Sequence, residues 1–259
     1  MTAKNAASRS VQFGVALASL MFLVISASSS SGQVLATSSL PYGLSYEEWS
    51  AKWWQWTLGQ STNNAELVGY PGICSGPASR VRLLAGVYLP GAGGVTTETR
   101  KITIGEETPL FFPILSIWVD NSGCPTFNSP LLTSAELTAQ AVGEWSAVTV
   151  TTCSIDGVEV AGLSDPTNNA YLVQAQAFSY TTAEKDNVVA GFFGEPCIPG
   201  GLTIYPAVAD GVYLMLSPLS PGQHTIHFVG VAGPVSSPFV KDDITYEIKV
   251  TRDFHYDDK

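Results

Sequence analysis

Between residues 45 and 59 the chain reads SYEEWSAKWWQWTLG, and Tyr46, Trp49, Trp53 and Trp56 recur at spacings of three, four and three. That period predicts a helix with one apolar face. Ser45, with Glu48 three residues on, forms a capping box, and Leu44 is placed to staple onto Trp49. Gly59 is placed to close the helix in a left-handed conformation. Four of the six Trp lie in this stretch. Burial of such side chains contributes about 2–3 kcal/mol each, so the helix should be clamped to whatever it covers. A second helix is predicted over 133–145, with Thr133 and Glu136 as its capping box and Leu137, Ala141, Val142 and Trp145 as its apolar side.

The remainder alternates with period two. Val81, Leu83, Ala85, Val87 and Leu89 share one face of a strand, the PGAGG of 90–94 reads as a hairpin tip, and 95–104 returns with Ile102 and Ile104 inward. The run LFFPILSIWV at 110–119 is apolar on both faces, so it is deeply buried or covered by the Trp helix. Pro113 within it lacks a ladder donor and predicts a sheet edge or a bulge. Asp156-Gly157 predicts a two-residue hairpin between 147–155 and 158–163. Further strands are expected at 171–180, 212–216, 223–229 and 244–251, with long loops at 61–79, 120–130 and 184–206. The sum is a mainly β protein: a single antiparallel β-sandwich, jelly-roll or immunoglobulin-like, over 45–251, with two short amphipathic helices.

Composition changes the picture at the ends. Lys4 and Arg9 precede an uncharged apolar run at 13–27 and a small polar stretch, the pattern of a secretory signal peptide over 1–27 with cleavage between 27 and 33. The run is short of the roughly 20 residues of a bilayer span. Residues 33–44 read as a flexible leader and 252–259 as a polar tail. The expected location is extracellular, or periplasmic in a bacterium, with no membrane association beyond the signal. The formal charge is −10 for the whole chain, which argues against nucleic acid as a partner. Cys74, Cys124, Cys153 and Cys197 are expected to form two disulfides in an oxidising compartment, in any of three pairings. None has zinc-site spacing, so neither metal nor cofactor is expected.

No nucleophile-elbow or zinc-protease motif is present. His224 and His227 are three apart in a predicted strand and point to opposite faces, so they cannot share a metal. His255 falls in the tail. Carboxylates for acid–base work reduce to Asp210, in an A-D-G turn, and Glu195, in the long loop. Glu106-Glu107 and Asp242-Asp243 read as solvated pairs at strand ends. Trp54 lies off the main helical stripe and, with Tyr205, Phe192 and Phe193, is the candidate aromatic ligand-binding set.

The segments W-S-A-K-W-W-Q-W (49–56), F-F-P-I (111–114), A-V-A-D-G (207–211) and L-S-P-L-S-P-G-Q-H-T-I-H-F (216–228) together resemble a family of uncharacterised secreted, mostly bacterial proteins. The resemblance covers 42–251. It implies export and implies no activity. The family pattern has a Cys near the position of Ile102, so no disulfide pairing carries over. Three functions are therefore in play. The first is a non-enzymatic module binding a glycan or cell-surface polymer. The second is a secreted hydrolase or lyase using Asp210 with His224 or His227, and Glu195. The third is a structural or interaction protein of the envelope or matrix that docks through the Trp helix.

Overall fold

The computed structural model describes residues 32–63, 72–73, 81–86, 94–123, 131–191 and 194–252. Two sheets dominate it. The first runs β1 (Gly72–Ile73), β2 (Arg82–Leu83), β4 (Leu110–Asp120), β9 (Thr203–Leu216) and β7 (Leu172–Gln174), with β8 (Phe178–Thr181) also paired to β9. The second runs β3 (Val95–Gly105), β11 (Val240–Thr251), β10 (Gly222–Ala232), β5 (Val148–Ile155) and β6 (Val158–Glu159). Two helices accompany them, α1 (Tyr46–Leu58) and α2 (Ser134–Trp145), with a single turn α3 (Val188–Gly191).

The inner faces of the two sheets share one apolar layer. Leu110, Phe112, Ile114, Leu214 and Leu216 of the first meet Ile226, Phe228, Ile244, Tyr246 and Ile248 of the second. The Phe112 and Phe228 rings stack at 5.3 Å between centroids. Gly230 permits the approach, because a Cβ there would lie 2.7 Å from the Ile114 carbonyl oxygen. The outer face of the six-stranded sheet is covered by α1. Tyr46, Trp49, Trp53 and Trp54 pack on Phe111, Tyr213 and Met215, which explains why β4 and β9 are apolar on both sides. Both halves of the α1 capping box form: Ser45 N donates to Glu48 Oε2 at 2.8 Å, and Glu48 N donates to Ser45 Oγ at 3.3 Å. The α2 capping box forms likewise. That helix lays Leu137 and Ala141 on Val119 and Val208.

Several expectations hold in detail. Asp156 (φ 51°) and Gly157 (φ 78°) make the tight turn between β5 and β6, with Ile155 opposite Val158. Pro113 sits where the β4–β9 register shifts, between Pro113 and Leu115; the shift absorbs its missing donor.

Others need correction. The sheets are not purely antiparallel: β3 pairs parallel to β11, and β2 parallel to β4. The hairpin expected between 80–89 and 95–104 does not form, since β2 and β3 belong to different sheets; alternation fixes which side chains are inward but not which strand is the neighbour. Gly59 ends α1 at φ −80° rather than in a left-handed conformation. Glycine serves there for closeness, because a Cβ would meet the Gln55 carbonyl oxygen at 3.0 Å. Val142 of α2 is 50% exposed, so that helix buries a narrower stripe than expected. The leader is tied down at 33–35: Leu35 N donates to Met215 O at 2.8 Å, Ser217 N to Gln33 O at 2.9 Å, and Tyr46 OH to Leu35 O at 2.6 Å.

Two disulfides from four cysteines also fail. Cys153 points inward from β5 and is a free, buried thiol, whose pKa burial pushes up to about 12. Among the described residues no two cysteines lie at bonding distance, and Cys197 is disulfide-bonded. Cys74 and Cys124 lie outside the described residues.

Candidate functional site

Trp54 is not a stacking platform. It is 3% exposed, its Nε1 donates to Tyr213 OH at 2.9 Å, and its ring packs against Trp53 at 5.0 Å and Trp118 at 5.5 Å. Position i+1 from the main stripe still faces inward because the helix lies on a broad sheet rather than a single seam. Tyr205, near the start of β9, is 62% exposed. Phe192 and Phe193 lie outside the described residues, as does His255.

The expected acid–base set is not brought together. Asp210 is on β9, level with Ile117 of β4 and Gln174 of β7. It is 4% exposed, and burial pushes its carboxyl up to about 6. His224 is near the start of β10 in the second sheet. Its Nδ1 lies 2.7 Å from Asp156 Oδ2 and its Nε2 2.8 Å from the Ser220 carbonyl oxygen, while Asp156 Oδ1 accepts from Thr225 N at 2.8 Å. Asp210 is separated from the β9 end nearest Ser220 by six extended residues, about 20 Å of strand, far beyond hydrogen-bond reach. His227 points to the opposite face from His224. Glu195 sits in a turn, its N–H on Val189 O at 3.1 Å and its carbonyl accepting from Ile198 N at 3.0 Å.

His224 with Asp156 is instead a structural staple. The carboxylate holds the buried ring and the Thr225 N–H of β10 to the β5–β6 turn. Asp156→Ala is expected to cost about 1–3 kcal/mol, since it orphans a buried ring nitrogen and removes a residue tolerant of positive φ. Asp156→Asn should cost less. Urea denaturation of the two variants checks the order.

The residues that do converge in the open lie on the outer face of the five-stranded sheet. Registered pairs place Ser154, His227, Thr245 and Thr99 in one rank across four strands, and Thr152, Val229, Asp243 and Thr97 in the next. Ranks of this kind repeat at about 4.8 Å across strands and about 6.7 Å along them. Thr97, Thr99, Thr152 and Thr225 are exposed, while Ser154, His227 and Thr245 are half-buried. Three ion pairs lie on this face: Lys101 Nζ with Glu247 Oε2 at 2.9 Å, His227 Nε2 with Asp243 Oδ1 at 2.9 Å, and Lys241 Nζ with Asp243 Oδ2 at 3.0 Å. The His227 hydrogen bond, and secondarily Lys241, hold the Asp243 carboxyl below the usual range. Both long helices pack against the other sheet.

A second polar cluster is internal and was not foreseen from the sequence. Arg100 is 3% exposed; its Nη1 donates to Ala85 O at 3.3 Å and to Tyr246 OH at 3.1 Å. Tyr246 OH donates to the same carbonyl at 2.5 Å. Asp242 faces this cluster, and burial pushes its carboxyl up to about 7 against the opposing pull of Arg100. Asp242 and Asp243 are therefore not a solvated pair: consecutive strand residues face opposite ways. Extending the alternation of Ile244, Tyr246 and Ile248 back by one step would have found the inward Asp242. Among the described residues no group of three His, Cys, Asp or Glu is placed to hold a metal ion.

No family model matches the chain, and no curated protein matches it. Among solved structures, the solution structure of amebosin aligns at 9% identity over 60% of this chain and 96% of its own, with a TM-score of 0.21. A likeness that weak carries no argument about fold or function.

Proposed function

We propose that the chain is an exported, non-enzymatic β-sandwich module that binds a hydroxyl-rich polymer, a glycan, along the outer face of its five-stranded sheet. The observation that carries this reading is the grid of short hydroxyl side chains and paired charges around Thr99, Thr245, His227 and Ser154. Hydroxyl and imidazole groups at strand spacing suit repeated hydrogen bonds to sugar hydroxyls. Export rests on the signal-like segment at 1–27 and on the motif resemblance. A hydrolase or lyase has less support, because Asp210 and His224 lie a strand's length apart in different sheets and the two histidines point to opposite faces. Docking through the Trp helix also has less, since Trp49 and Trp53 are at most 1% exposed.

Polysaccharide pull-down and glycan-array binding test the reading. Binding should weaken severalfold in Thr99→Val/Thr245→Val and in His227→Ala, and should be indifferent to Tyr205→Ala. Flat binding to every glycan overturns the glycan assignment. Loss in Tyr205→Ala alone moves the site to the start of β9 and overturns its placement on this face.

A further inference from the structure

The five-stranded sheet ends in β3, whose one strand neighbour among the described residues is β11. Peptide groups along β3 alternate in direction. Lys241 N donates to Gly94 O at 2.6 Å, and Glu106 N donates to Thr251 O at 3.1 Å, so the even-numbered positions turn toward β11. With period two, the N–H and C=O of Val95, Thr97, Thr99, Lys101 and Thr103 turn outward. Among the described residues no donor or acceptor meets them, and all of them are exposed. The open edge stops at Gly105, whose carbonyl accepts from Thr108 N at 3.1 Å. No other sheet margin is like it: β6, β1, β7 and β8 are two, two, three and four residues long. Folded proteins blunt open edges by shortness, proline, bulges or unpaired charge. β3 runs for 11 residues without a proline, its register with β11 has no shift, and Lys101 is drawn back to Glu247 Oε2 at 2.9 Å.

This edge is complementary to itself. A two-fold axis at Thr99 sets β3 antiparallel to the β3 of a second copy, with Thr99 opposite Thr99, Thr97 opposite Lys101 and Val95 opposite Thr103. These are the outward-turned residues, so each exchanges its N–H and C=O bonds with its opposite. The same axis sets Glu98 opposite Arg100, charges of opposite sign, in both halves. Sliding the copy by two residues is the smallest step that keeps the inner faces aligned. In one direction that step sets Glu98 against Glu98, and in the other Arg100 against Arg100. Like charges directly opposite are unfavourable, so charge selects the register centred on Thr99. We propose that β3 pairs antiparallel with β3 of a second copy of this chain, joining the two five-stranded sheets edge to edge. The pairing does not rest on the glycan reading, since it is made by backbone groups at the rim rather than by the outer face.

Sedimentation velocity of the full chain from micromolar to millimolar concentration, with amide hydrogen exchange at both ends of that range, tests it. A reversible monomer–dimer equilibrium is expected, with slower exchange at Thr97, Thr99, Lys101 and Thr103 in the dimer. Thr99→Pro removes the N–H at the axis and adds a ring to the rim, and should weaken the dimer about tenfold or more. Glu98→Lys sets like charges opposite in both halves and should weaken it about three- to tenfold. Thr99→Val keeps the peptide N–H and should leave the dimer unchanged, and no glycan enters the measurement, so failure here is distinct from failure of the glycan reading. Glu98 and Thr99 are exposed, so these variants leave the core intact; circular dichroism confirms folding, and Glu98→Lys decides should Thr99→Pro not fold. A monomer at every concentration overturns the proposal, including when an added extended peptide protects the same amides instead. Dimerisation indifferent to Glu98→Lys, or protection confined to other amides, also overturns it.

Discussion

Replacing Trp53 by alanine is expected to cost about 3–5 kcal/mol, the range for large-to-small changes at aromatic core positions. Trp53 is 1% exposed and meets Trp54 edge-on at 5.0 Å and Trp56 at 6.2 Å. Its Nε1 donates to the Leu84 carbonyl oxygen at 2.9 Å, so the indole joins α1 to the segment just after β2. Alanine would leave a cavity under the helix and an unpartnered lone pair on a buried carbonyl. Against a total stability of about 5–15 kcal/mol for a domain, a loss of that size leaves little margin. Trp53→Phe keeps most of the apolar area but not the N–H, and should fall between alanine and the parent. Equilibrium urea denaturation, with near-ultraviolet circular dichroism to report aromatic packing, measures both. A Trp53→Ala protein within about 1 kcal/mol of the parent would show that α1 does not hold the six-stranded sheet, because surface changes alone stay near that size.

Stability is expected to fall as pH rises from about 4 to about 7, and Asp210 and Asp242 are the reason. Burial holds their carboxyls at about 6 and about 7, above the ordinary 3.8. The folded chain therefore keeps two protons that the unfolded chain has already released. The contribution of such groups is fully present below the unfolded value and is lost as pH passes the folded one. For Asp210, which is 4% exposed, the interval corresponds to at most about 3 kcal/mol, and solvent screening of the carboxyl brings it below that. Asp243 works in the opposite sense: its folded value is lowered, so its contribution is present above the unfolded value and is lost only as the solution becomes more acidic. The windows do not overlap, so the two effects separate. Asp210→Asn should flatten the decline and be more stable than the parent at pH 7.5, while differing little from it at pH 4. Thermal or urea denaturation across that range decides. Parallel curves for parent and variant would show that Asp210 is solvated enough to ionise freely.

What neighbouring residues dictate is legible in the chain itself. Both capping boxes, the Asp156-Gly157 turn, the register shift at Pro113 and the inward sets of β10 and β11 follow from short-range geometry and from period-two alternation. These rules act within a few residues, so the chain states them directly. The helix stripe of Tyr46, Trp49 and Trp53 is legible for the same reason, whereas the burial of Trp54 is not. That burial depends on how wide a surface the helix lies on, and the surface is assembled from β4, β7, β8 and β9, strands drawn from more than a hundred residues of sequence.

The sequence by itself therefore determined the β class, the two amphipathic helices, the local caps and turns, and which side chains turn inward, because each is a property of neighbouring residues. Only the tertiary structure decided the parallel placement of β3 beside β11, the free thiol of Cys153, the separation of Asp210 from both histidines, and the grid that brings Ser154, His227, Thr245 and Thr99 level. Those outcomes depend on which distant strands pair and in what register. Many pairings bury the same apolar faces, and the choice among them is made by packing of the whole core rather than by any one segment.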